Sequence, residues 1–144
     1  FWSLLSEDEK ANSLFSDLFG DANAEYRASL ERYYEQGPPA DWEQRYISAY
    51  ASSHPLEDWA ETWSHYLLMH DALETAHAHR MIDTPPSSSA LVERISQWQA
   101  VSVGLNEMNQ SVGRDDAYPF VISAQVHNKL AYVDAMISRL RTLQ

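Results

Sequence analysis

The stretch from residue 54 to residue 80, HPLEDWAETWSHYLLMHDALETAHAHR, constrains the fold more than any other part of the sequence. It contains no Gly, and its one Pro, Pro55, stands where a first helical residue needs no backbone N–H. Apolar residues recur at spacings of three and four, at Trp59, Trp63, Tyr66, Leu67, Leu73 and Ala76. At about 1.5 Å per residue, such a helix crosses a small domain. We therefore predict one long central helix over 54–80.

Helical spacing and capping residues also mark the rest of the chain. Predicted helices begin near Ser6, Asp21, Asp41, Leu91 and Ser123, and Gly20, Gly37 and Gly113 end three of them. No stretch alternates apolar and polar residues for long enough to predict a strand. The sequence thus predicts an all-α fold of about six helices around the 54–80 helix. The length suits a single domain, and the Pro- and Ser-rich linker at 84–89 is the place where it would subdivide.

Composition excludes several classes of partner and chemistry. Asp and Glu number 21 against 10 Lys and Arg, giving a net charge of −11 that repels nucleic acid and anionic membrane surfaces. The absence of Cys excludes disulfides, zinc ribbons and thiol catalysis within this chain. No apolar run is long enough to span a membrane, and no signal-peptide pattern opens the chain. We therefore expect a cytoplasmic protein with no nucleic-acid or membrane partner, and the oligomeric state is left open.

Three polar residues follow one another at four-residue intervals on the central helix, at Glu57, Glu61 and His65. This spacing places them on one helix face. One interpretation is structural, because a carboxylate such as Glu57 in a first turn complements the helix dipole and Glu61 would then be an ordinary exposed residue. The other is a metal site, in which one acid binds zinc and a second acid one turn later orients a ligand imidazole. The spacing alone leaves both open.

Several strings in the sequence resemble the bacterial zinc-binding metallopeptidase family. They are FSDLFGD at 15–21, YEQGPPADW at 34–42, HPLEDWAETWSHYL at 54–67, and Tyr118-Pro119-Phe120. The resemblance covers most of the chain, and EDWAETW is its most specific string. Members of this family are similar to zincins, and they carry a cysteine-rich zinc ribbon followed by an HExxH helix. That motif supplies two His ligands and the Glu that acts as general base.

The resemblance assigns this chain to one part of such a protein. Neither HExxH nor the ribbon occurs here, whereas Phe1-Trp2-Ser3-Leu4-Leu5 is similar to the residues directly after HExxH. The resemblance therefore implies a C-terminal helical fragment of a longer peptidase-like protein, with the general base upstream. Glu57 would be the third zinc ligand, and Glu61 would hydrogen-bond to a ligand. Partners would be a peptide or protein substrate and the missing N-terminal part, and the fragment alone is expected to be inactive.

The histidines have simpler interpretations as well. His65 is either bonded to the carboxylate four residues earlier or placed to support a ligand or contact substrate. His54, before Pro55, is either a helix cap or a substrate contact. Glu74-x-x-His77 matches half of a di-iron motif, but the second copy that such a site needs is absent from the sequence.

A function from another class is a non-catalytic protein-interaction or oligomerisation module. Its interface would be the apolar series at the chain end, formed by Val126, Leu130, Val133, Ile137 and Leu140. The alternative interpretation is that these residues pack in the core of the domain.

Overall fold

A computed structural model describes residues 9–142, with side chains from 13 to 140, and every regular element in that part is helical. The α-helices are α1 (Glu9–Phe19), α2 (Tyr26–Gln36), α3 (Trp42–Arg45), α4 (Pro55–Ala78), α5 (Leu91–Ser111) and α6 (Ala124–Thr142). Short 3₁₀ turns lie at Tyr50–Ser53 and Pro86–Ser88. The predicted all-α fold is confirmed. The predictions for residues 1–5 and for a helix start at Ser6 lie outside the described residues.

The predicted central helix is α4, the longest helix of the described chain at 24 residues. It begins at Pro55 as predicted. Its end comes before residue 80, because Arg80 adopts a left-handed backbone with φ of 59°. The N–H of Met81 then bonds back to the carbonyl of Ala76 at 2.8 Å. This is the backbone pattern that closes many helices, and here it occurs without the usual glycine.

The chain divides into two compact units, residues 1–63 with 122–144 and residues 64–121. In the first unit an aromatic cluster lies under α4. Trp59 contacts Phe19 and Tyr132 with ring centroids 5.4 and 5.7 Å apart, and Phe15 stacks on Phe19. From α6, the side chains of Val126, Leu130 and Val133 are fully buried. The first three members of the apolar series at the chain end are therefore core residues.

The second unit has its own core between the latter part of α4 and α5. Leu73, Ile95 and Trp98 are buried there. The Tyr118 ring packs edge-on against Trp98 with centroids 4.8 Å apart. Among the helices described, none combines the length and the apolarity that crossing a membrane requires.

Helix α2 begins later than the sequence predicts. Asp21 was the predicted cap, but its carboxylate accepts the N–H of Asn23 at 2.9 Å in a turn. Glu25 caps the helix instead and accepts the N–H of Ala28. A contact distant in sequence explains the shift, because the carbonyl of Ala24 bonds to the His54 ring and stays outside the helix. The predicted end at Gly37 is observed, with φ of 76°.

Candidate functional site

Glu57 lies in the first turn of α4, half-buried in the first unit. The phenol of Tyr26 donates to its Oε1 at 2.5 Å. This hydrogen bond is the main reason that the pKa of Tyr26 is raised to about 12. The pKa of Tyr50 is also raised, first by burial and then by the charge of Glu57. Two phenols therefore stay protonated near the Glu57 carboxylate at neutral pH, and the Tyr26 phenol donates a hydrogen bond to it.

Glu61 is the next acid on the same helix face, and a hydroxyl fixes its position. The buried Ser48 donates from Oγ to Glu61 Oε2 at 2.7 Å. Ser48 Oγ is itself oriented, because it accepts the backbone N–H of Ala51 at 3.1 Å. The segment before α4 thus holds Glu61 through a chain of two hydrogen bonds. Both predicted acids accept hydrogen bonds from hydroxyls, and neither pairs with a basic side chain among the described residues.

His54 precedes α4 and is almost fully buried, with 3% of its surface exposed. Its Nδ1 accepts the N–H of Leu56 at 3.1 Å, and its Nε2 lies 3.0 Å from the carbonyl of Ala24. A backbone N–H can only donate and a carbonyl can only accept, so the proton is on Nε2. Both ring nitrogens are therefore occupied by backbone groups in the described structure. This geometry is that of a helix cap that also ties α4 to the segment before α2.

His65, the third residue of the predicted face, belongs to the second unit. It is buried, and its Nδ1 lies 3.0 Å from the hydroxyl of Tyr118. The Phe120 ring packs edge-on against the imidazole, with centroids 4.7 Å apart. Burial raises the pKa of Tyr118 to about 12, so its hydroxyl stays protonated at neutral pH. The YPF string of the sequence analysis is thus the segment that surrounds His65.

Asn106 fixes the Tyr118 segment from α5. Its side-chain amide donates to the carbonyl of Tyr118 at 2.8 Å, and its Oδ1 accepts the N–H of Tyr118 at 2.9 Å. The two bonds satisfy both backbone groups of a residue that is only 5% exposed. Sequence reasoning missed Asn106, since a polar residue within a helical stretch carries no mark of this pairing.

The remaining histidines of α4 have local partners. His70 lies 3.4 Å from Glu74, four residues later, and His77 Nδ1 lies 3.3 Å from the carbonyl of Ile82. Glu74 and His77, which match half of a di-iron motif, therefore have different partners: Glu74 lies near His70, and His77 lies near the Ile82 carbonyl.

A buried ion pair beside Glu57 was not predicted. Asp58 is fully buried, and its Oδ2 accepts from Lys129 Nζ at 2.6 Å. Lys129 also donates to the carbonyl of Arg45 at 2.6 Å and lies 4.4 Å from the Tyr46 ring centroid. Burial raises the pKa of Asp58 to about 6, against the lowering effect of Lys129. Lys129 stands directly before Leu130 of the apolar series, and helical spacing alone does not mark such a lysine as buried.

Zinc is the metal that the resemblance implies, and the residues of this chain fit it only in part. Glu57 is a suitable single ligand, because ligating carboxylates are themselves hydrogen-bonded and Tyr26 supplies such a bond. A zinc site needs at least three protein ligands. Across residues 9–142 no group of three His, Asp or Glu side chains could hold a metal ion.

Across the described residues the chain is all-helical, and Glu57 and Glu61 on its longest described helix each accept a hydrogen bond from a hydroxyl. The family described as "Putative zinc-binding metallo-peptidase" matches residues 1–136, and the chain belongs to this family. The resemblance seen in the sequence is confirmed.

The chain also has relatives in mycobacteria. An uncharacterized protein of Mycobacterium bovis and one of Mycobacterium tuberculosis are each 39% identical to this chain over 147 residues. The alignments cover 97% of this chain and 43% of each relative, so the chain spans less than half the length of these curated relatives. No solved structure matches the chain.

Proposed function

We propose that this chain is the third-ligand part of a zinc-dependent peptidase, with Glu57 as the zinc ligand that it contributes. The other two ligands and the general base would come from an HExxH helix outside this sequence. This chain alone would then be inactive, and the substrate would be a peptide or protein. The proposal concerns a protein longer than the present sequence, in line with the greater length of the mycobacterial relatives.

One observation carries the proposal: the Glu57 carboxylate is held by a phenol, with no basic side chain bonded to it in the described structure. A first-turn glutamate that served only the helix dipole would need no such partner. With Oε1 engaged by Tyr26, a carboxylate can bind a metal through its other oxygen. The hydrogen bond would fix the direction of that oxygen.

Each group on this face has a role under the proposal. Zinc, when bound, would supply the Lewis acidity that polarises a scissile carbonyl and lowers the pKa of a bound water to about 7. Glu57 would contribute one anionic ligand. Glu61, held by Ser48, would orient an imidazole of the HExxH helix through a hydrogen bond. Tyr26 would keep Glu57 in the ligating rotamer.

The test is zinc content in the protein expressed from the complete reading frame that encodes this chain. Glu57→Ala should remove the zinc of one site. Glu61→Ala should weaken that site by about 10–100-fold, because it removes only a hydrogen bond to a ligand. Glu93→Ala is a matched control, because Glu93 also lies in a helix first turn and is exposed.

Mass spectrometry of the native protein and elemental analysis would both report the result. If Glu57→Ala and Glu93→Ala retain the same zinc and lose similarly small amounts of stability, Glu57 is a helix-start carboxylate and the proposal is wrong. Loss of zinc in Glu57→Ala alone would support the ligand role.

A further inference from the structure

A cavity of about 330 Å³ lies in the first unit, and neither Glu57 nor Glu61 lines it. It is bounded by the last turns of α2, the Gly37-Pro38-Pro39 turn and the end of the 3₁₀ turn Tyr50–Ser53. Its volume is at the lower end of the range of pockets that bind small ligands. No residue of the proposed zinc site lines it.

Two buried hydroxyls lie in the wall of this cavity. Ser53 is 4% exposed, and its Oγ has no hydrogen-bond partner in the described structure. Ser29 is 8% exposed, and the Arg32 guanidinium donates to its Oγ across a long 3.4 Å. Buried hydroxyls in folded proteins are nearly always paired. An unpaired one that lines a cavity indicates that a ligand or water supplies the missing partner.

The charge in this wall is positive. Arg32 lines the cavity, whereas none of the lining residues is Asp or Glu. In the part of the chain that the structure describes, Arg32 has no carboxylate partner. By contrast, Arg27 pairs with Glu31 and Arg45 with Asp41. Arg32 is exposed at the cavity and lies beside the Ser29 hydroxyl, and a guanidinium without a carboxylate partner is suited to bind an oxyanion.

The surroundings favour one negative charge over two. One guanidinium balances a carboxylate, and there is no second cation in the lining to balance a phosphate dianion. The cavity lies at the C-terminal end of α2, where the helix dipole is negative and opposes additional anionic charge. A carboxylate, which Arg binds with two parallel hydrogen bonds, is therefore the better match.

The rest of the cavity suits a peptide. Tyr33, Pro38 and Pro39 supply apolar surface. Tyr33 also contacts Tyr50 with ring centroids 5.8 Å apart, and Glu57 acts on the pKa of Tyr50.

The geometry points to a subsite for the carboxylate of a peptide, with Arg32 and Ser53 as its binding residues. This inference rests on the proposed function, because it names a substrate feature for the same protein. It predicts a preference for peptides with a free C-terminal carboxylate or an acidic side chain near the cleaved bond. The preference would be set by this cavity and would not depend on metal.

The experiment measures peptide binding to this chain in EDTA, so that zinc has no part in the result. The probes are acetyl-Ala-Phe with a free carboxylate, its C-terminal amide, acetyl-Glu-Phe amide, and inorganic phosphate. Backbone amide shifts of Gly37 and Ser53 in two-dimensional NMR report occupancy. We expect the free acid to shift both signals and its amide to bind at least about 10-fold more weakly. Binding of acetyl-Glu-Phe amide would identify a side-chain carboxylate as the second source.

Variants then locate the site. Arg32→Gln should weaken binding of the free-acid peptide at least about 10-fold. Arg32→Lys should weaken it less, because lysine keeps the positive charge but cannot form the two parallel hydrogen bonds of a guanidinium. Ser53→Ala should weaken binding of the free-acid peptide severalfold. Arg27→Gln is the matched control on the same helix, since Arg27 is exposed and paired with Glu31. Equal binding of acid and amide, no effect of Arg32→Gln, or tighter binding of phosphate would each overturn the inference. A Glu57→Ala variant that loses zinc from the longer protein but binds the peptide normally separates the two proposals.

Discussion

Lys129 and Asp58 form a 2.6 Å ion pair in which the side chains are only 5% and 0% exposed. The pair joins the second turn of α6 to the first turn of α4, where Asp58 directly follows Glu57. Lys129 also bonds to the Arg45 carbonyl, so three segments meet at one ammonium group. Because the pair is buried, removing one partner leaves an uncompensated buried charge, and this loss exceeds the net contribution of the pair to stability.

Lys129→Met should therefore destabilise the protein strongly. The methionine fills a similar volume but leaves the Asp58 carboxylate buried without its counter-charge. We expect a loss of about 3–5 kcal/mol in the free energy of unfolding at pH 8, measured by urea denaturation. The double variant Asp58→Asn with Lys129→Met should recover part of it. A loss below about 1 kcal/mol in the single variant would show that the pair is hydrated in solution.

The same pair predicts a pH dependence with a definite sign. The folded-state pKa of Asp58 is about 6, above its ordinary value of 3.8, so the folded state binds more protons between these values. The contribution of this group to stability is therefore largest below about pH 4, and it falls as pH rises to about 6. In Lys129→Met the lowering influence of the ammonium is gone, and the pKa of Asp58 should rise further. The destabilisation by Lys129→Met should thus be smaller at pH 5 than at pH 8. Equal losses at both pH values would contradict this assignment.

His54 offers a test of a two-sided cap. His54→Ala removes the bonds to Leu56 and Ala24, and we expect a loss of about 1–3 kcal/mol in unfolding free energy. His54→Asn should lose less, because asparagine is a good N-cap and can still accept the Leu56 N–H. Chemical denaturation of both variants gives the comparison. If His54→Asn loses as much unfolding free energy as His54→Ala, the bond to Ala24 accounts for the whole loss.

The second unit can be tested through Asn106. Asn106→Ala leaves the N–H and carbonyl of the buried Tyr118 without their partners, which should cost about 2 kcal/mol. Tyr118→Phe keeps the ring and removes only the hydroxyl bond to His65, so a loss of about 1 kcal/mol is expected. Thermal unfolding measures both, and Gln99→Ala, an exposed change on the same helix, is the control. Loss of hydrogen-exchange protection at the Tyr118 amide should accompany Asn106→Ala alone.

The elements that sequence predicted well are those set by local chemistry. Pro55 begins α4 and Gly37 ends α2, because each needs a backbone conformation that its own residue type favours. The burial of Val126, Leu130 and Val133 follows from their helical spacing. These features need no information about distant parts of the chain.

The features that sequence missed depend on distant contacts. Asp58 was indistinguishable from other first-turn acids, and its partner lies 71 residues away. Asp21 has the better capping side chain, yet Glu25 caps α2, because Ala24 is held by His54 from 30 residues further on. The unpaired hydroxyl of Ser53 likewise depends on how α2 packs over the 3₁₀ turn. Tertiary context decided each of these.

Tyr26 is the residue through which the ligand proposal is most directly probed. It holds Glu57 by a single hydrogen bond, and it is itself 43% exposed, so Tyr26→Phe should fold normally. In the protein from the complete reading frame, the loss of a bond to a ligand should weaken zinc binding by about 10–100-fold, less than Glu57→Ala does. Tyr34→Phe is the matched control, because Tyr34 lies on the same helix and is 73% exposed. Competition with a fluorescent chelator measures the affinities. If Tyr26→Phe and Tyr34→Phe bind zinc as tightly as the unmodified protein, the hydrogen bond to Glu57 serves the fold and not the metal.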